Sequence, residues 1–268
     1  MSLDNPYSLE GFNGQSAESE IVRLEYQAKV RWTYEAPLLR SSGLSKGSKI
    51  ADFGCGPGFI TLYLSDEVGI EGEVIGIEQN INLAEQARNH VQGRSYVKII
   101  QGDVCHLPEI KDDSYDFVYC RFLLQHLGDP RRAMKEAMRI LKKSGKLLIM
   151  DIDDSLFHLA PYPDYFREFL EEACRGQTLY GGDRYIGHKL ACMMYEENFS
   201  DINPSVYTFT SNNIISNEFL ELTTNFKVEL LTPSRRAWGN SILKRLNDDL
   251  KDNHFFGTAG IYYVIGTK

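Results

Sequence analysis

The sequence predicts an α/β fold in which a doubly wound parallel sheet is covered by helices on both faces. From Ile50 onward, strand-like and helix-like segments alternate for about a hundred residues, as in consecutive βαβ units. The inner residues of the strand-like segments are nearly all apolar, which is typical of strands buried on both faces. The first of these segments runs into a glycine-rich turn and then a helix, an order common where such sheets bind ligands. Together these observations favour a doubly wound sheet.

The elements of this core follow one another in a regular order. A helix with apolar positions at helical spacing is predicted over residues 18–40, ending near Pro37 and the Ser41-Ser42-Gly43 break. The predicted strands are 49–53, 73–77, 96–100, 115–120 and 146–151. The predicted helices between them are 59–67, 81–92 and 130–141.

The alternation stops after the fifth predicted strand. Residues 155–182 are rich in aromatic side chains, and residues 183–199 have the spacing of a further helix. Two more strands are predicted at 204–210 and 260–266, and the segment 213–251 between them is helical and charged. The second half of the chain is therefore expected to elaborate the sheet, not to repeat the first half.

The length of 268 residues suits one elaborated domain better than two. We predict that this domain, 1–268, consists of an N-terminal helical cap at 1–45, a ligand-binding core at 46–154 and two insertions. The insertions, 155–182 and 213–255, are expected to form a lid over the open edge of the sheet, where ligands bind.

The composition excludes several classes of function. Against 29 lysines and arginines stand 37 aspartates and glutamates, and the net charge of −8 disfavours tight binding to nucleic acid or to an anionic membrane surface. No apolar run is long enough to span a membrane, and the N-terminus lacks a signal-peptide core. The five cysteines form no close pairs, which is typical of reduced thiols. We therefore expect a cytoplasmic protein without a membrane or nucleic-acid partner.

The glycine turn after the first strand indicates the kind of ligand. Gly54, Gly56 and Gly58 alternate, so the backbone can turn tightly and approach a bulky group without a Cβ in the way. A dinucleotide fingerprint needs its third glycine at the position that Phe59 occupies. Asp52, two residues before the first glycine, suits a ligand that carries positive charge at the turn. S-adenosylmethionine, with its amino-acid group and sulfonium, is such a ligand; in the alternative interpretation, the acid only caps the turn.

Further polar residues stand at the ends of the next predicted strands, which meet at one edge of a parallel sheet. Glu78 can accept hydrogen bonds from both ribose hydroxyls, and Gln79 beside it can pack against an adenine. Asp103 and Val104 are placed to meet the adenine amino group and ring face, although an acid after a strand is often only a turn former. Arg121 ends the fourth strand, where it could meet the acceptor, the cofactor carboxylate or solvent. Three acids at three successive strand ends favour an adenosyl ligand.

Several of these segments, in this order, resemble the motifs of class I S-adenosylmethionine-dependent methyltransferases, and the small-molecule, ubiquinone- and menaquinone-biosynthesis-like branch is nearest. The resemblance is close over about residues 20–154, and residues 185–202 also resemble the helix and strand that follow the fifth strand in that branch. The segments are Ala51-Asp-Phe-Gly-Cys-Gly-Pro-Gly58, Val74-Ile-Gly-Ile-Glu78, Gln101-Gly-Asp103, Tyr115-Asp-Phe-Val118 and Leu141-Lys-Lys-Ser-Gly-Lys146.

The resemblance implies a seven-stranded, mostly parallel, Rossmann-like sheet whose last strand is antiparallel. It also implies that Gly54, Gly56, Glu78 and Asp103 carry the contacts to S-adenosylmethionine, whose product is S-adenosylhomocysteine. The reaction would be in-line methyl transfer to a small organic acceptor.

His126 is the candidate catalytic residue, as a general base for an acceptor that must lose a proton. It lies six residues past Cys120, and phosphoethanolamine-type methyltransferases carry a functional histidine at the matching place in a similar Arg-x-x-x-x-His segment. The alternative is a histidine packed in the turn before residues 128–130.

Other chemistries are less well supported by the sequence. Asp151, Asp153 and Asp154 form a carboxylate cluster, but metal-dependent catechol-type methyltransferases place their ligands at other strand ends, so no metal is expected. An NAD-dependent oxidoreductase is the alternative enzyme, but this sequence has neither the glycine spacing nor the Tyr-x-x-x-Lys pair expected of one. A catalytically silent cofactor-binding subunit that activates a partner stays an alternative, and both a monomer and a homodimer stay open.

Overall fold

A mixed β-sheet forms the centre of the protein, in a computed structural model that describes residues 14–212, 219–251 and 255–268. Strands β1 to β8 of these residues are Lys49–Phe53, Glu73–Glu78, Val97–Gln101, Tyr115–Arg121, Leu141–Ile152, His158–Ala160, Ser200–Thr210 and Phe256–Thr267. Helices α1 to α8 are Gly14–Ser41, Phe59–Val68, Ile81–His90, Pro130–Ile140, Asp164–Leu179, Leu190–Glu196, Lys227–Leu230 and Arg236–Lys251.

The strand order is β3-β2-β1-β4-β5-β8, with β7 on the other edge of β8. β1 to β5 pair in parallel, and β8 runs antiparallel to β5 and β7. The predicted doubly wound, mostly parallel sheet with an antiparallel last strand is thereby confirmed. The short β6, which lies within the first predicted insertion and pairs with the beginning of β8, is an addition that the sequence did not predict.

Two apolar layers lie on the two faces of the sheet, and the alternation along β1 shows why. Ile50 belongs to the layer that includes Leu64 of α2, whereas Ala51 and Phe53 belong to the layer that includes Met134 of α4. Each of these β1 residues is at most 1% exposed. Because both faces are covered, the strand needs apolar residues at every position, which produces the continuous apolar run in the sequence.

Some boundaries differ from the prediction. β5 begins at Leu141 and β7 at Ser200, each several residues before the predicted start. Both early stretches contain a register shift, and the first residues of β7 lie exposed at the edge of the sheet, so they lack the apolar alternation that indicates a strand. The helix predicted over 183–199 is also shorter: a 3₁₀ turn at Gly187–Lys189 precedes α6.

The described parts of the two insertions pack against each other. Buried apolar side chains of α5, α7 and α8 belong to one layer of the core, with Phe166 and Phe169 fully buried. The backbones of α5 and α7 meet at Gly176 of α5, since a Cβ built there would lie 1.8 Å from the carbonyl oxygen of Leu230 in α7. The predicted lid segment 213–255 is described only over 219–251 and at 255, and the predicted cap only from residue 14. Among the helices described here, none combines the length and apolar character required to span a bilayer.

Candidate functional site

All nine side chains and glycines predicted as site residues line one cavity of about 270 Å³ at the carboxyl ends of the parallel strands. Within the described part of the chain, α1 and the segment 222–226 of the second insertion also line it. The predicted residues are Asp52, Gly54, Gly56, Glu78, Gln79, Asp103, Val104, Arg121 and His126. Predicted residues from four separate stretches of sequence, 52–56, 78–79, 103–104 and 121–126, therefore converge on one site.

The glycine turn between β1 and α2 is built by left-handed backbone. Gly54, Gly56 and Gly58 have φ angles of 68°, 54° and 87°, a region that residues with a Cβ rarely adopt. A Cβ at Gly58 would lie 2.8 Å from the Cα of Ala87 in α3, so this glycine is needed for packing. A Cβ at Gly56 would meet no protein atom within 4 Å. Gly56 therefore borders open space in the cavity wall.

Glu78 is fixed by the turn itself. Its Oε2 accepts a hydrogen bond from the Gly56 amide (3.0 Å), and its Oε1 accepts one from the Asn80 amide (2.8 Å). Burial raises the pKa of Glu78, while these backbone donors oppose the shift. A carboxylate has about four lone-pair sites, so two acceptor sites remain after these contacts. The side chain is thus held rigidly with capacity for two more donors.

Asp52 lies at the base of the cavity and is 2% exposed. Its Oδ2 accepts a hydrogen bond from the Thr61 hydroxyl at 2.6 Å. Burial raises the pKa of Asp52 to about 7, with the Thr61 hydrogen bond and the charge of Arg121 acting in the opposite direction. The carboxyl group does not cap α2, which begins after Gly58 without a side-chain cap.

Asp103 follows β3 and has two roles in the geometry. Its Oδ1 accepts a hydrogen bond from the Cys105 amide (2.9 Å), as expected of a turn former. It also lines the cavity together with Val104, whose side chain is 6% exposed. The turn-forming and ligand-facing interpretations are therefore compatible.

Arg121 is buried, which removes the interpretation that it faces solvent. Its Nε donates to both oxygens of Glu35, at 3.1 and 3.0 Å, and the side chain is 10% exposed. Glu35, on α1, is 1% exposed and also accepts a hydrogen bond from the Tyr119 hydroxyl at 2.8 Å. The sequence prediction missed Glu35 because its partners lie more than 80 residues away along the chain.

His126 ends a 3₁₀ turn, Leu124–His126, after β4. Its Nδ1 lies 3.4 Å from the amide nitrogen of Gln177 in α5. Burial, reinforced by the positive charge of Arg184, lowers the pKa of His126 to about 3. The ring is therefore uncharged at neutral pH.

The carboxylates of Asp151, Asp153 and Asp154, at the end of β5 and just after it, are engaged by groups of the protein itself. Asp154 accepts hydrogen bonds from Arg184 Nε (3.0 Å) and Nη2 (2.8 Å), and from Lys227 Nζ (2.5 Å). Asp151 accepts from a backbone amide, and Asp153 lies within 2.7 Å of a histidine ring. Among the residues that the structure describes, no three His, Cys, Asp or Glu side chains are arranged to hold a metal.

The chain was compared with known families and curated proteins. Residues 51–149 match the family described as "Methyltransferase domain". Demethylmenaquinone methyltransferase from Staphylococcus aureus is 35% identical over 114 residues, which are 42% of this chain and 47% of that protein. An uncharacterized 37.1 kDa protein in transposon TN4556 of Streptomyces fradiae is 32% identical over 185 residues, 67% of this chain and 50% of that protein. The chain thus spans about half the length of these relatives.

The fold was also compared with solved structures. The YcgJ protein from Bacillus subtilis superimposes with a TM-score of 0.62 at 19% identity, over 87% of this chain and 97% of that one. At this identity the likeness concerns the fold alone.

Proposed function

We propose that this chain is a class I S-adenosylmethionine-dependent methyltransferase and that it transfers a methyl group from S-adenosylmethionine to a small organic acceptor. The observation that carries the proposal is the meeting of Gly56, Glu78, Asp103 and Asp52 in one cavity. S-adenosylmethionine supplies a methyl group that its own sulfonium has already activated. The protein then has to bind the acceptor, align it with the methyl group and exclude water.

The residues present fit such a ligand. Gly56 leaves room where a Cβ would stand, and Glu78 is held with two acceptor sites available for a pair of ribose hydroxyls. Asp103, Val104 and Gln79 continue the cavity wall toward β3 and suit an adenine. Asp52 offers a carboxyl group that ionises easily near neutral pH beside a cationic amino-acid group.

Purified protein tests the proposal directly. S-adenosylhomocysteine should raise its melting temperature, NAD should not, and a panel of hydroxyl- and amine-bearing small molecules should give a methylated product by mass spectrometry. Stabilisation by NAD alone would favour the oxidoreductase. Binding of S-adenosylhomocysteine without turnover on any acceptor would favour the silent partner subunit.

The affinity for S-adenosylhomocysteine should rise with pH. With a pKa of about 7, Asp52 is mostly protonated at pH 6 and mostly ionised at pH 8. A ligand ammonium group favours the ionised form, so binding releases a proton and affinity increases about tenfold across this range. Calorimetry at pH 6, 7 and 8 measures the change. The Asp52→Asn variant should show a flat profile; a similar slope in both proteins would contradict the assignment.

Two glycine substitutions should separate binding from folding. Gly56→Ala costs about 1–2 kcal/mol of stability, because the left-handed residue gains a Cβ but meets no protein atom. Gly58→Ala adds a 2.8 Å contact with α3 and should lower the melting temperature much further. Gly56→Ala should nevertheless lose most affinity for S-adenosylhomocysteine. Unchanged affinity in Gly56→Ala would show that the ligand does not approach this turn.

His126→Ala should chiefly lower turnover. Because His126 lines the β4 end of the cavity, away from the β2 and β3 ends, we expect kcat to fall at least about tenfold, as for loss of a proton-transfer group. Affinity for S-adenosylhomocysteine should stay within about twofold of wild type. An unchanged kcat, measured with an acceptor from the panel, would instead indicate that His126 only packs the turn.

A further inference from the structure

Two arginines that line the cavity lie near one buried carboxylate, that of Glu35. Arg121, at the end of β4, forms an ion pair with Glu35, whereas Arg31, on α1, is attracted to its charge without pairing with it. Glu35 is engaged through both oxygens by Arg121. Burial and the neighbouring charge of Arg121 lower the pKa of Arg31 to about 10, so the residue is still cationic at neutral pH. This group of three residues therefore carries an excess positive charge.

The donors of both arginines are incompletely used. Nη2 of Arg121 is buried and makes no hydrogen bond within residues 14–212, 219–251 and 255–268. Arg31 makes no ion pair or hydrogen bond with the same residues, and its guanidinium contacts the rings of Phe122 (5.5 Å) and Phe209 (4.6 Å). A buried donor without a partner costs about 1–3 kcal/mol, so Nη2 of Arg121 in the cavity wall indicates a ligand that accepts hydrogen bonds.

The position of Arg31 separates it from the nucleoside contacts. Glu78 ends β2 and Asp103 follows β3, and both strands lie on one side of β1 in the sheet. Phe122 follows β4 and Phe209 belongs to β7, both on the other side of β1. Arg31 lies against these two rings and hence in the half of the cavity left for the acceptor.

We propose that Arg31 and Arg121 bind an anionic group of the acceptor, a carboxylate or a phosphate. This inference rests on the proposed methyl transfer and adds a substrate class to it. A guanidinium fork matches the oxygens of either anion, and the flanking rings exclude water around it. The remainder of the acceptor would be largely apolar. Beside Thr223 and the ion pair of Asp154 with Arg184, the side chains that line this half of the cavity are mostly apolar: Phe122, Phe157, Phe209, Leu222, Phe226 and Ile261.

The cofactor also carries a carboxylate, and the first experiment distinguishes the two sources. Arg31→Met is the variant of choice, since Arg31 forms no ion pair with the described residues and the protein should fold without it. Calorimetry compares S-adenosylhomocysteine with 5′-methylthioadenosine, which lacks the amino-acid group. We expect both affinities to stay within twofold of wild type. A tenfold loss for S-adenosylhomocysteine alone would assign the pair to the cofactor and overturn the proposal.

In the second experiment, the protein is first saturated with S-adenosylhomocysteine. It is then titrated separately with benzoate, benzamide and inorganic phosphate. Wild type should bind benzoate or phosphate at least tenfold more tightly than benzamide, and Arg31→Met should lose that preference. Arg31→Lys should retain part of it, and Arg88→Met, an exposed arginine on α3, should retain all. Equal binding of the three probes by wild type, or a preference that survives in Arg31→Met, would overturn the proposal. The proposal of methyl transfer would be unaffected by that result, because it is tested separately by cofactor binding and product formation.

Discussion

The Glu78→Ala variant is expected to bind S-adenosylhomocysteine at least about 100-fold more weakly than wild type, which corresponds to about 2.7 kcal/mol. The wild-type carboxylate is held by the Gly56 and Asn80 amides with two acceptor sites remaining, and hydrogen bonds to a charged acceptor contribute about 1.5–3 kcal/mol each. The loss should exceed that in His126→Ala. Calorimetry on both variants measures the difference.

Two controls separate the ribose contact from the structure of the turn. Glu73→Ala removes a carboxylate from the opposite end of the same strand, where it pairs with Lys49 outside the cavity, and should leave affinity unchanged. Glu78→Gln keeps one oxygen but places an amide opposite a backbone donor, so an intermediate affinity is expected. Equal affinity in wild type and folded Glu78→Ala would refute the ribose assignment.

The Asp154→Ala variant is expected to lose about 3–5 kcal/mol of unfolding free energy, because it leaves two buried cations without their carboxylate. Arg184 is 4% exposed and Lys227 is 1% exposed. Burial alone would raise the pKa of Asp154, but the charges of these two partners outweigh it and hold the pKa well below its usual value. Denaturant unfolding followed by circular dichroism measures the loss.

Lys227→Met is the matched comparison for that experiment. It removes a buried cation whose pKa burial has already lowered to about 8, and it leaves the two-point contact between Arg184 and Asp154 intact. Replacing a buried charge by an apolar side chain of similar length is often neutral or stabilising. We therefore expect a change of less than about 1 kcal/mol. A loss as large as that of Asp154→Ala would show that Lys227 is indispensable to the network.

The residues that could be predicted from the sequence are those whose position follows from strand order. Glu78 and Asp103 come directly after strands with apolar runs, and parallel strands end at one edge, so local pattern alone places them together. Glu35 and Lys227 could not be found in this way. Each lies on a helix, and its buried partner is far along the chain, 86 residues for Glu35 and 73 for Lys227. Only tertiary packing brings such pairs together.

The close approach of α5 and α7 at Gly176 has a consequence for engineering acceptor preference. Because the two backbones touch there, the first and second insertions pack as one unit, and Lys227 ties the second insertion to Asp154 of the core. If only one segment were grafted from a relative, a side chain at the Gly176 position or a displaced carbonyl at the Leu230 position would clash with the other segment. Exchange of specificity between relatives should therefore require both segments as a single cassette, with the Gly176 position kept as glycine.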